Sequence, residues 1–580
     1  MTDHVDALEL PIEVADEPAP SEAARSRLAQ SAAPIALAAT TALAACSGGG
    51  SGGSSPVAVA PTPTPSPTPT PAPIGAAQAS RFLQQATFGA TKTDIEQVQS
   101  LGFDGWITDQ VNKPRTAHWD WMVTSGYSVS GNINNTTGFD NSVWRQIISE
   151  PGQLRQRVGM ALSEMMVVGI DGINLNWKQF AAAAWLDVLL DNALGNFRTL
   201  MERITYNAAM GSFLTYLNNR KANPATGSVP DENYARELMQ LFTLGLYRLN
   251  MDGTLQLSGG QPIETYTQTD VSQLARVFTG LTLDSTDSTT PDRYRRSLVF
   301  NPANHETGAS TFLGATVPAG ADGASAVRIA LDTIFAHPNV PPFVSKQLIQ
   351  RLVSSNPSPA YVGRVAAVFA DNGSGTRGDL RAVVRAILLD NEARADTGTS
   401  STTGGKLREP VIRLTNWARA FGATSAGGLW PIGDTSSSST RLAQSLGRAT
   451  SVFNFFRPGY TPPNTAIANA SLVAPEFQIT HELSVVAYIN YLQTAIQNGL
   501  GTGNDVRANY AAMLALASDS AALVGEVNLL LAANQLSAAT VAAIRAAVDS
   551  ISATTTAGQT NRVYTAILLT MASPEYITQR

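Results

Sequence analysis

Beyond residue 75 apolar residues recur every three to four positions along most of the chain, the period of an amphipathic helix. In Ser358-Pro359 the serine reads as an N-cap and the proline as the first helical residue, after which Tyr361, Val362, Val365, Val368 and Phe369 share one face. Gly378-Asp379 opens the next helix, with Leu380, Val383, Val384, Ile387 and Leu388 on its buried side. A helix over Pro230 to Phe242 buries Tyr234, Leu238, Leu241 and Phe242 and ends at Gly245. Thr267-Gln268-Thr269-Asp270 has capping-box spacing and starts a helix that buries Val271, Leu274 and Phe278. Strand-like alternation is confined to Gly253 to Tyr266, where it predicts one small hairpin. The stretch RAVVRAILLDNEAR (381–394) resembles RVYTAILLTMASPEYITQ (562–579), which points to a helical unit used twice. The pattern predicts an all-α body over residues 78–580, in one or two lobes, with at most a small β-hairpin.

The amino-terminal region reads differently. Cys46, the only cysteine in 580 residues, closes Leu43-Ala44-Ala45-Cys46 after a weakly apolar stretch from Ala32, with Arg25 and Arg27 before it. This is a lipobox, and residues 1–46 are read as a lipoprotein-type signal that leaves a lipid on Cys46. Two to three acyl chains would anchor the chain to a membrane at about 0.8 kcal/mol per buried methylene. Seven acidic residues before the arginines make the charged leader unusually long. Ser47, where Asp would commonly retain a lipoprotein at the inner membrane, favours the outer membrane by analogy. Residues 47–77 run from Gly/Ser into alternating Pro-Thr, a disordered tether whose polyproline stretch extends by about 3.1 Å per residue. Gly49-Gly50-Ser51-Gly52-Gly53 has the letters of a nucleophile elbow, but a linker lacks the strand and helix that such an elbow needs.

Charge and cysteine content narrow the chemistry. Of 39 basic and 45 acidic residues, Arg25, Arg27 and the seven leader acids fall before residue 76, which leaves a body of 37 and 38. Such balance excludes nucleic acid as a partner, since phosphate binding needs a clustered positive field. With no cysteine after Cys46, disulfides, thiolate nucleophiles and Cys-based metal sites are excluded as well. The densest polar constellation is Asp231 to Gln240. There Glu232 and Arg236 form an i,i+4 pair opposite the buried stripe, and Glu237 lies at the edge of the stripe, where desolvation suits a carboxylate to acid/base work. Glu237, Glu232 and Arg236 are therefore the candidate catalytic residues, and His305, His337 and Asp270 the candidate ligands of a divalent metal. The competing structural readings are a paired or capping Glu237, a capping Asp270 and hydrogen-bonded histidines. No histidine has H-E-x-x-H spacing, so no zincin is present.

Several runs identify a family resemblance. Arg81 to Gly89 (RFLQQATFG), Gln153 to Val158 with Ala161-Leu162-Ser163-Glu164, Asp231 to Leu244 (DENYARELMQLFTL), His305-Glu306-Thr307-Gly308, His337-Pro338-Asn339, Ser355-Asn356-Pro357, Ser451 to Pro458 and Pro475-Glu476-Phe477 occur in order. From about Ala79 to Tyr576 the chain resembles the bacterial family catalogued as domain of unknown function 1800. The resemblance implies an exported, mostly helical protein with no established activity to carry over. Members are often encoded beside an exported family that resembles sulfatases and alkaline phosphatases, which implies a secreted sulfatase-like partner. Two functions follow: a helical surface scaffold or partner of a secreted enzyme, ahead of a metal- or carboxylate-dependent hydrolase acting on an extracellular polymer.

Overall fold

The computed structural model describes residues 73–395 and 403–580. The segment read as a lipoprotein signal, with Cys46, and the stretch read as a tether, up to residue 72, lie outside the described residues. The first helix begins at Ala76, and the described residues gather into one compact unit. Among the described residues the chain forms 23 α-helices and five two-stranded antiparallel ladders.

The helices end where local chemistry ends them. Ser358 accepts a hydrogen bond from the Tyr361 amide and Pro359 follows, which starts helix Pro359–Ala370 as expected. Asp379 does the same for helix Leu380–Leu389 through the Ala382 amide. Thr267 and Asp270 close the expected capping box of helix Gln268–Val277. Two helices, Gln153–Ser163 and Lys178–Asn192, bury nearly all their faces and pack on each other at the centre.

The resemblance between 381–394 and 562–579 extends to a repeated order of elements. Helices Val340–Leu352, Pro359–Ala370 and Leu380–Leu389, the turn Asn391–Arg394 and strand Lys406–Leu407 follow in the same order as Ser520–Ala532, Ala538–Asp549, Thr556–Ala572, Pro574–Ile577 and strand Thr578–Gln579. The capping chemistry repeats too. Glu392 accepts the amide of the N-cap Ser358 at 2.9 Å, and Glu575 accepts that of the N-cap Ser537 at 3.3 Å. The terminal strands of the two series pair with each other, Leu407 opposite Thr578 and Lys406 opposite Gln579.

The expected hairpin is present, with Leu257–Ser258 paired to Gln261–Pro262, and the chain before it joins it through bridges of Tyr247 to Glu264 and Leu249 to Leu255, so that residues 246–265 make up the hairpin region. Gly259 and Gly260 both adopt positive φ, which a two-residue type I′ turn requires. The other ladders are two or three residues long and sit at loop crossings, too short to leave an alternating pattern in the sequence.

The helix expected over Pro230 to Phe242 differs in its second half. Asn233–Glu237 is α-helical, but Leu238–Thr243 is a π-turn, in which Thr243 Oγ1 donates to the Leu238 carbonyl. The wider turn rotates the stripe, so Met239 is buried and Leu241 is only half-buried.

Candidate functional site

Glu232 and Arg236 come together as expected, at 3.1 Å, but as part of a surface network. Glu232 also accepts hydrogen bonds from Gln268 Nε2 at 2.7 Å and from the Ser272 hydroxyl at 2.5 Å, and these hold its carboxyl below the usual range. The pair thus joins two helices. Asp270 is committed to capping, accepting from the Thr267 amide at 2.7 Å and from the Leu313 amide at 2.7 Å. Burial opposes its ionisation, and these amides outweigh burial and keep its pKa low.

Glu237 is buried, and burial pushes its carboxyl up while Arg236 pulls the other way. Among the described residues its Oε2 has no hydrogen-bond partner. His305 is buried edge-on to Phe300, and its Nδ1 lies 2.9 Å from the Thr279 carbonyl, so Nδ1 carries the proton. His337 ends helix Gly323–Ala336, and its Nδ1 accepts the Asn339 amide at 3.1 Å. Burial and then the charges of Arg248 and Arg377 lower its pKa. Glu237, His305 and His337 therefore each answer to separate neighbours. Among the described residues no three of His, Cys, Asp and Glu gather into a metal-binding group.

A cleft of about 820 Å³ lies elsewhere, between helix Val340–Leu352 and the hairpin region. Two asparagines fix its rims. Asn339 donates to the carbonyls of Leu244 at 3.0 Å and Tyr247 at 2.8 Å and accepts the Leu249 amide at 3.0 Å, which pins the base of the hairpin. Asn356 donates to the Val473 carbonyl and accepts the Val473 amide, both at 2.9 Å, and so clamps the opposite rim. Gly245 turns the chain between them with positive φ, and an added Cβ would lie 2.9 Å from the Phe343 ring.

Beneath the cleft lies a fully buried ionic cluster. Lys406 Nζ stands 3.2 Å from Glu409 Oε1 and 3.0 Å from Glu476 Oε1, and donates to the Arg351 carbonyl at 2.8 Å. Glu409 also accepts Gln444 Nε2 at 2.7 Å. Arg157 donates to the same Arg351 carbonyl at 2.6 Å, while Arg351 pairs with Glu164 at 3.5 Å. Glu164 and Glu409 raise and lower each other's ionisation, and among the described residues neither Glu164 carboxylate oxygen has a hydrogen-bond partner. Burial and then the Glu409 charge push the Glu164 carboxyl up; against its own burial, Lys406 pulls Glu409 down. Arg351 also bonds Gln347, which lines the cleft, so cleft wall and cluster form one unit.

The model of the family described as "Protein of unknown function (DUF1800)" matches residues 81–578. The chain belongs to the DUF1800 family. No curated protein and no solved structure matches it. In this DUF1800 chain the family-like runs recur at the cleft and its foundation: Glu164, Asn339, Ser355, Asn356 and Glu476 all lie in them. Asn339 and Asn356 escape a search for catalytic residue types because they act on backbone groups. Glu164, Lys406, Glu409 and Glu476 escape because only Lys406 and Glu409 are close in sequence.

Proposed function

We propose that this DUF1800 protein is an exported lipoprotein, anchored through Cys46, whose helical body recognises and holds a secreted enzyme. The observation that carries this reading is the apolar surface of the hairpin. Leu246, Tyr247, Met251, Leu255 and Leu257 are 50, 42, 43, 46 and 58 % exposed. They sit on a segment fixed from below by Asn339 and Gly245, so their exposure comes from a held conformation. A group of apolar side chains kept in water on a rigid element marks an interaction surface. A sulfatase-like secreted enzyme is the partner that the family resemblance implies.

The test is a photo-reactive amino acid at Leu257 in the full-length protein, irradiated in intact cells. An adduct with an exported sulfatase- or phosphatase-like enzyme, lost in a Leu255→Asp variant, supports the reading. Absence of any adduct from both Leu257 and Leu246 refutes it.

A hydrolase is the second reading, and one observation favours it: Glu237 is desolvated, with a raised pKa and, among the described residues, an unbonded oxygen. Elemental analysis of chelator-free protein decides this. Stoichiometric metal that is lost in both Glu237→Ala and His305→Ala would move the conclusion to the hydrolase.

A further inference from the structure

Inside the cleft, behind the hairpin rim, stands a cation with nothing to neutralise it. Lys346 lines the wall, its stem running under the hairpin, with Cδ 3.7 Å from where a Cβ on Gly253 would sit. Among the described residues its ammonium makes no ion pair or hydrogen bond, and burial lowers its pKa. The neighbouring carboxylates are committed elsewhere. Asp252 accepts the Thr254 amide at 3.0 Å and hydroxyl at 2.6 Å, and Glu392 accepts the Ser358 amide at 2.9 Å.

A second group in the same wall is unsatisfied. Ser355 is 4 % exposed, and among the described residues its Oγ has no partner. A buried hydroxyl left without a bond is costly, and a ligand acceptor would remove that cost. The remaining lining is largely apolar, with Leu249, Phe343 and Leu472 facing the same space. The volume falls within the range of small-molecule sites.

Both rims argue against an extended peptide. Strand addition needs free main-chain groups. The Tyr247 carbonyl and Leu249 amide are taken by Asn339, and both main-chain groups of Val473 by Asn356.

We propose that the cleft binds a small amphiphile, an apolar chain ending in one carboxylate as in a medium-chain fatty acid. Its carboxylate sits on the Lys346 ammonium with the Ser355 hydroxyl as second donor, and its chain lies against Leu249, Phe343 and Leu472.

The experiment titrates octanoate and octanol into the full-length chain carrying Cys46→Ser, which removes the only thiol, by calorimetry. The wild-type cleft is expected to bind octanoate saturably and at least tenfold more tightly than octanol. Lys346→Met, which keeps the stem and removes the charge, is expected to erase that preference, and Lys346→Arg to keep it. The proposal is overturned if the folded protein binds neither probe, or if octanol matches octanoate. It is equally overturned if the preference survives Lys346→Met, or if only an apolar peptide with a free carboxyl terminus binds.

Discussion

Lys406 is the position at which the structure can be tested most sharply. Its side chain is 1 % exposed, and it is the cation between the carboxylates of Glu409 and Glu476. Lys406→Met keeps the volume of the stem but leaves two buried carboxylates and the Arg351 carbonyl without that donor. Removing one partner of a buried pair costs about 3–5 kcal/mol, because the remaining charge stays desolvated. The sign of the pH dependence follows from Glu476, whose carboxyl is already pushed up by burial. Without Lys406 its folded pKa rises further above the unfolded value. The folded state then takes up a proton that the unfolded state releases above about pH 4.3. The deficit should therefore be smallest at acid pH and grow by up to about 1.4 kcal/mol per pH unit as pH rises. Guanidinium unfolding of the full-length chain, followed by the fluorescence of its buried tryptophans, measures this at pH 5 and pH 7. Adding Glu476→Gln to Lys406→Met should recover part of the loss, since the amide needs no counter-ion. A Lys406→Met protein within about 1 kcal/mol of wild type would refute this electrostatic account. So would a deficit as large at pH 5 as at pH 7.

Three further outcomes are expected. His118 is fully buried, its Nδ1 bonds Ser142 at 3.1 Å, and burial, with Arg115 and Arg145, pushes its pKa down to about 3. The unfolded chain therefore gains a proton that the folded chain refuses. The stability this contributes is present above about pH 6.5 and declines by about 1.4 kcal/mol per unit as pH falls, and His118→Asn should flatten that slope in acid unfolding curves. Asn356→Ala removes both bonds to Val473 and should raise amide hydrogen exchange at residues 471–473 at least tenfold without altering exchange in helix Lys178–Asn192; equal protection in both proteins would count against the clamp. Arg236→Ala, by contrast, breaks a half-exposed pair and should shift stability by no more than about 1 kcal/mol in the same unfolding assay.

Much of the fold was legible because helices announce themselves locally. Ser358, Thr267 and Asp379 cap the helices they were expected to cap, since a cap depends on residues within one turn. The repeated order of elements was legible only in its last helix, where apolar spacing and the breaks at Asp390 and Ser573 coincide. The π-turn at Leu238–Thr243 was not legible, because a shift of one residue per turn leaves the composition of the stripe nearly unchanged. The cleft was least legible of all. Its rims are held by Asn339 and Asn356 through partners 90 to 117 residues away, and no periodicity or spacing records such bonds. The family-like runs carried the signal, but they marked Asn339 through its neighbour His337, a residue type that attracts a metal-site reading.

Recognition through the hairpin surface is tested by the affinity of the cross-linked secreted enzyme, once purified, for wild-type protein and for a Leu255→Asp/Leu257→Asp variant. Burying each leucine is worth about 1.5 kcal/mol or more, so the account predicts a loss of about a hundredfold. A control change at the exposed Leu483, on helix Glu482–Asn498, should leave affinity intact. Unchanged binding by the hairpin variant, or equal loss at Leu483→Asp, would contradict it.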